Sequence, residues 1–256
     1  MKRLINIISI WLLAFLLGPE PSMAASKTVR FELAASTIEI STFYNGTTVE
    51  VTGSLPTDAD LLLTLSGPKH DVELKLKGKM AGLLWMNKAD VKLENVPSVY
   101  QIYTPEGTSS EFPGPQSGIG YKSLAREITI EPESADKMFI FGEYVKLMEK
   151  SGVYGINRGS VSYAPAGEKR KNFSATLKIP PKMGADTYRV EAFAVKDGAV
   201  AASAAKDLTL VLSGLPRAIA SLAFGRPLLF GIMAVFIAVA TGLIIGALFK
   251  GGGGAH

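Results

Sequence analysis

The sequence predicts a mainly β protein: two β-sandwiches with one intervening helix, followed by a single apolar helix at the C-terminus. Three observations carry this prediction. Apolar residues recur at every second position through much of the middle of the chain. One segment, "SADKMFIFGEYVKLMEKSG", replaces that period with a helical one. And "PLLFGIMAVFIAVATGLIIGALF" runs from Pro227 to Phe249 without a charge.

The strands come first. In "VRFEL", Val29, Phe31 and Leu33 alternate with Arg30 and Glu32. In "HDVELKLKGK", Val72, Leu74 and Leu76 alternate with Glu73, Lys75 and Lys77. In "NFSATLKIP", Phe173, Ala175, Leu177 and Ile179 fall on one face. Successive side chains of a strand point to opposite sides, so each segment has one wet and one buried face. Asn45-Gly46 lies between "TIEISTFY" and "TTVEVTG". Asp197-Gly198 lies between "TYRVEAFAVK" and "AVAASAAKDLTLVL". Both pairs predict hairpin turns, whose central residues take positive φ. Short strands at this spacing predict Ig-like sandwiches of roughly 80–100 residues each. One is expected over residues 25–104 and one over 124–213. The stretch 105–123, rich in Gly, Pro and Ser, reads as a loop or linker between them.

The helix is expected over 134–151, with Ser134 as N-cap and Gly152 as stop. Phe141, Tyr144, Val145 and Met148 share one side; Lys146, Glu149 and Lys150 share the other.

The chain ends carry the location. Lys2 and Arg3, an apolar run from Leu4 to Leu17, a Gly18-Pro19 break and the small residues Ser22 and Ala24 form the layout of a cleavable export signal over 1–24. The 23 residues of Pro227–Phe249 reach about 34 Å as a helix, enough to cross a hydrocarbon core of about 30 Å. Residues 214–226 are expected to rest at the membrane surface, and 250–256 to form a cytoplasmic tail. Arg217 and Arg226 outside against Lys250 inside would not set this orientation by charge; the export signal sets it. Within the span, Ala234, Ala238, Gly242 and Gly246 recur every fourth residue. Residues four apart share a helix face, and a face without bulky side chains lets another helix approach closely. The partner would be an integral membrane protein or a second copy.

Composition narrows the chemistry. Formal net charge is +4, but three of the 27 basic residues and one of the 23 acidic ones lie in the terminal segments. A near-neutral middle lacks the concentrated basic face that nucleic acid requires. The chain has no cysteine, which excludes disulfides, thiol catalysis and thiolate metal sites.

Several residues invite functional readings. Trp85 with Tyr100 and Tyr103 would make a binding surface, although a Trp in a sandwich more often plugs the core. Phe112 and Tyr121, in the Pro- and Gly-rich stretch, extend that candidate partner surface. Met80 and Met86 flank Trp85 and suit Cu(I) by softness, but with no Cys or His beside them they read as packing. His70 is the one histidine of the exterior; with no nucleophile motif beside it, a triad or zinc site is not expected. "GIGYKS" lacks the GK[ST] of a phosphate loop. Asp58 and Asp60 lack the glycine and distal glutamate of a calcium loop, and "GEKRKNF" reads as a polar hairpin tip. No cofactor, metal or catalytic residue is expected.

Trp85-Met86-Asn87, Val96-Pro97-Ser98-Val99-Tyr100, and a helix ending Gly152-Val153-Tyr154 where the family favours Gly-Leu-Tyr lead to a resemblance. With the glycine-punctuated terminal span, they make nearly the whole chain resemble a family of transmembrane proteins first catalogued from Alphaproteobacteria. The resemblance implies an inner-membrane protein with a β-rich periplasmic part, one C-terminal span and no established activity. It also implies an accessory role beside permeases of the sulfite-exporter type. The expectation is therefore a non-enzymatic, membrane-anchored interaction protein; the alternative is a tethered periplasmic module that binds a solute or metal.

Overall fold

The computed structural model describes residues 28–80, 84–108, 117–132, 136–165, 167 and 169–249, without the side chains of Met80, Trp85 and Lys88. The expected signal at 1–24, the tail at 250–256, Ser134 and Phe112 lie outside the described residues. In chain order the strands are β1 (Arg30–Leu33), β2 (Thr37–Ile40), β3 (Thr47–Pro56), β4 (Asp60–Ser66), β5 (Lys69–Met80), β6 (Leu84–Pro97), β7 (Tyr100–Pro105), β8 (Thr129–Glu131), β9 (Tyr154–Pro165), β10 (Arg170–Ile179), β11 (Thr187–Lys196) and β12 (Ala199–Leu212). The helices are α1 (Tyr121–Glu127), α2 (Lys137–Ser151), α3 (Gly214–Gly225) and α4 (Pro227–Phe249).

The protein is mainly β, as its periodicity requires, but its strands do not divide at residues 105–123. Nine of them form one curled sheet in the order β1-β3-β10-β9-β7-β4-β11-β12-β2, and β5-β6-β8 form a second, small sheet. Strands from both expected sandwiches alternate in the large sheet. β3 pairs with β10 along ten residues, β4 with β11, and β7 with β9. The β7–β9 pair is parallel. A parallel pair needs a long crossover, and the segment read as a linker begins that crossover, which holds α1, β8 and α2. Tyr121, Lys122 and Ser123 already belong to α1. Alternation tells which face of a strand is buried; it does not tell which strand lies beside it.

The Asn45-Gly46 hairpin is a second correction. β2 does not pair with β3. It runs parallel to β12, Ile40 opposite Leu212, while β3 pairs with β1 and β10. β1 and β2 lie at opposite edges of the large sheet and are joined by Ala34-Ala35-Ser36 alone. Ala34 N–H donates to Glu50 O at 2.9 Å, and Thr209 N–H donates to Ser36 O at 2.9 Å. Three residues span about 10 Å at most, so this link draws the two edges together and curls the sheet. Asp197-Gly198, by contrast, turns the β11–β12 hairpin as its sequence requires, with φ of 53° and 76°.

β4 to β7 form one long ribbon. Ser66 pairs with Tyr100 in the large sheet and Lys69 with Pro97 in the small one. The ribbon passes from one sheet to the other at Gly67, where a Cβ would lie 2.1 Å from Ser98 Oγ. A side chain there would have to displace Ser98 Oγ and would press on Val99 N at 3.0 Å. Phe173, Ala175, Leu177 and Ile179 are all buried, and Val72, Leu74 and Leu76 of β5 are half-buried against the same core. His70 sits in β5 opposite Val96.

α2 is capped by Asp136, whose carboxylate accepts from Phe139 N–H at 3.1 Å, so the helix starts later than the 134 expected. Gly152 stops it in the left-handed region at φ 79°. Ile140, Phe141, Tyr144 and Val145 are buried, and Met148 packs beside them.

Candidate functional site: an unburied membrane helix and a tyrosine cluster

α4 is apolar on every side. Over an 18-residue window its mean hydropathy is 2.7, and none of its residues is buried. Leu243 is 70% exposed and Phe249 80% exposed. In water this would expose a large apolar surface with nothing to cover it. A helix apolar all round is stable only where its surroundings are apolar too. Ala234, Ala238, Gly242 and Gly246 line one of its faces by spacing, and a Cβ at Gly242 or Gly246 would meet no atom within 4 Å.

α3 leads into it. Arg217 and Ser221 lie on one side at helical spacing, with exposed Phe224 beside them at the C-terminal end; Leu215, Ile219 and Leu222 lie on the other. None of its residues is buried, and Leu215 and Ile219 are exposed. Arg226, at φ −141° and ψ 64°, separates α3 from α4. An amphipathic helix with a free apolar side is suited to lie in a membrane interface.

The expected aromatic surface divides. Tyr100 and Tyr121 do come together, ring centroids 6.1 Å apart. Tyr154 joins both, at 6.1 Å from Tyr100 and stacked at 6.2 Å on Tyr121. Tyr144 of α2 meets Tyr154 edge-on at 5.9 Å. No local pattern points to this cluster, because Tyr100 and Tyr154 face each other only through the parallel β7–β9 register. Tyr100 accepts from Gly120 N–H at 3.0 Å, Tyr121 donates to Glu149 at 3.0 Å, and Tyr154 donates to Pro97 O at 2.6 Å. Burial pushes all four hydroxyls above their ordinary value. Tyr100 and Tyr121 remain half-buried, and Tyr100 borders a cleft of about 290 Å³ with Thr64, Lys69, Glu127 and Glu191. Lys69 and Glu127 pair across it at 3.2 Å.

Tyr103 is not a surface residue. It is fully buried. Its hydroxyl donates to Gln101 Oε1 and accepts from Lys178 N–H at 3.0 Å, and Gln101 in turn donates to Gly152 O at 2.8 Å. It is the polar pin of the core, tying β7 to β10 and to the end of α2. Trp85 lies in β6, its side chain outside the described residues.

The remaining polar candidates and their neighbours lie in ion pairs and hydrogen bonds of the body. Asp71 pairs with Lys92 at 3.1 Å and accepts from Asn95 N–H at 3.3 Å; the Lys92 hydrogen bond, then that of Asn95, holds its carboxyl below the usual range. Asp58 pairs with Lys196 at 2.6 Å and Asp60 with Lys171 at 3.2 Å. Arg170 of the basic hairpin donates to Ser54 O at 2.8 Å. Among the described residues, no three His, Asp or Glu side chains gather as metal ligands.

One comparison decides the family. The chain matches the family described as "Putative transmembrane protein (Alph_Pro_TM)" over residues 28–251. It belongs to that family. The match covers the whole β body and α4, in agreement with the resemblance read from its motifs. No curated protein matches the chain. An Alph_Pro_TM chain with one long apolar C-terminal helix is a single-pass membrane protein.

Proposed function

We propose that this Alph_Pro_TM protein is a non-enzymatic accessory subunit of an inner-membrane transporter, its β body in the periplasm and α4 docked against the transporter's helices. The observation that carries the reading is the strip Ala234, Ala238, Gly242 and Gly246, on a helix none of whose residues is buried among the described residues. Close helix approach across small residues is what drives association where lipid removes the hydrophobic incentive. The export layout at 1–24 supports the periplasmic placement. The sulfite-exporter class of partner rests on the family resemblance.

In-membrane crosslinking of the full chain tests it, with wild type beside Gly242→Leu/Gly246→Leu and the captured proteins identified by mass spectrometry. Capture of a multispan permease by wild type, lost in the double variant, is the expected result. Self-pairs alone, or capture indifferent to the substitutions, sink the docking role.

A further inference from the structure

We propose that the rim of the β body beside α3 is itself a lipid-contact surface, with Phe43 seated in the bilayer interface. Topology places it there. β2 is parallel to β12 and ends level with it, Ile40 opposite Leu212. Ser213 N–H donates to Ile40 O at 3.0 Å. The turn over 41–46 and helix α3 therefore leave the sheet from adjacent strand ends, on the same rim and in the same sense.

The turn suits lipid. Phe43 is 93% exposed, the most exposed large apolar side chain among the described residues. No charge occurs from Ser41 to Val49. The turn is also held in shape, so Phe43 does not fold back onto the body. Tyr44 N–H donates to Ser41 O at 3.1 Å, and the Tyr44 hydroxyl reaches Ile179 O at 3.4 Å. Gly46 sits at φ +85°, where a Cβ would come within 2.9 Å of Ile179 O. A fixed, uncharged turn that spends its aromatic side chain on open space fits an interface in which amphipathic rings are favoured. The occupant is the bilayer because the rim is continuous with it: α3, about 18 Å long at 1.5 Å per residue, presents its unburied apolar side from the neighbouring strand end and turns into α4 at Arg226.

The inference rests on α4 spanning the bilayer and not on any transporter partner. The chain has no native cysteine, so single-cysteine labelling of the full-length protein is clean. Thr42→Cys reports on the turn. Thr57→Cys reports on the opposite end of β3, about 30 Å away at the rise of a strand. Val239→Cys reports on α4. Each is labelled with a small fluorophore and reconstituted in vesicles of phosphatidylcholine and phosphatidylglycerol doped with nitroxide-labelled lipid. Strong quenching at 239 and at 42 with little at 57 is expected. Adding Phe43→Asp should bring position 42 down to the level of 57. Quenching at 239 with none at 42 overturns the proposal and leaves the anchor intact, whereas no quenching at 239 removes the anchor. A label at 42 that is shielded from lipid and from water alike means that protein covers the rim instead. Quenching at 42 that survives Phe43→Asp overturns the seating of Phe43.

Discussion

Leu177 and Leu243 are the same residue in two regions built on opposite terms. Leu177 is fully buried in β10, flanked by exposed Thr176 and Lys178. Leu243 is 70% exposed in α4 among residues as apolar as itself. The β body alternates wet and dry positions, so it hides its apolar half within its own curl and meets water with the other half. α4 has no polar face to turn outward, and none of its residues is buried among the described residues. One region carries its apolar solvent inside it; the other must be given one. The difference separates the stability of the body from the placement of the chain.

The largest expected effect breaks that comparison in the body. Leu177→Ala should destabilise the exterior fold by about 2–5 kcal/mol, the range for cavity-forming substitutions in a close-packed core. Leu243→Ala should leave the body's unfolding transition where it is. Denaturant titration of the full chain in nanodiscs, followed by far-UV circular dichroism at the β signal, compares the two. Equal destabilisation by both would mean that the body and α4 unfold as one unit.

A smaller effect is expected at the polar pin. Tyr103→Phe keeps the ring but removes the hydroxyl that serves Gln101 and Lys178 N–H. Leaving buried partners unmet costs about 1–3 kcal/mol. The same titration measures it, and a change near zero would show that Tyr103 contributes only its ring.

The last test sharpens the comparison without a mutation. All eight tyrosines belong to the body, and burial pushes every hydroxyl above its ordinary value of 10.0. Tyr163, for instance, is pushed up to about 12. A pKa higher in the fold than in the open chain means stability that is whole below pH 10 and is lost as pH climbs through the folded values. Absorbance at the tyrosinate band should stay low at pH 10, then rise together with loss of the β signal, while the helical signal of α4 persists. Half-ionised tyrosines at pH 10 in the folded protein would contradict this packing.

How much of this was legible varies by element. α4 was read to the residue, because 23 uncharged residues in a row admit few other readings. The inward faces of β5 and β10, the stop at Gly152 and the hairpin at Asp197-Gly198 were equally plain. The division into two sandwiches and the hairpin at Asn45-Gly46 were not. Nor was the tyrosine cluster: the sequence offers Tyr100 and Tyr121 as surface, Tyr144 as one side of a helix and Tyr154 as part of a motif, with nothing to bring the four together.

The reason is the range over which each signal acts. Period, turn chemistry and capping depend on residues within a few positions, so the sequence by itself determined which segments are strands, which face of each is dry, and that the last helix belongs in lipid. Pairing depends on which distant strand presents a matching inner face once the chain has closed a loop to reach it. Thr47–Pro56 meets Arg170–Ile179 across more than a hundred residues, and three residues draw the edges of a nine-stranded sheet together. Only the tertiary structure decided that two apparent halves share one sheet, that Tyr103 faces inward, and that the turn bearing Phe43 stands beside the strand end from which α3 leaves the sheet.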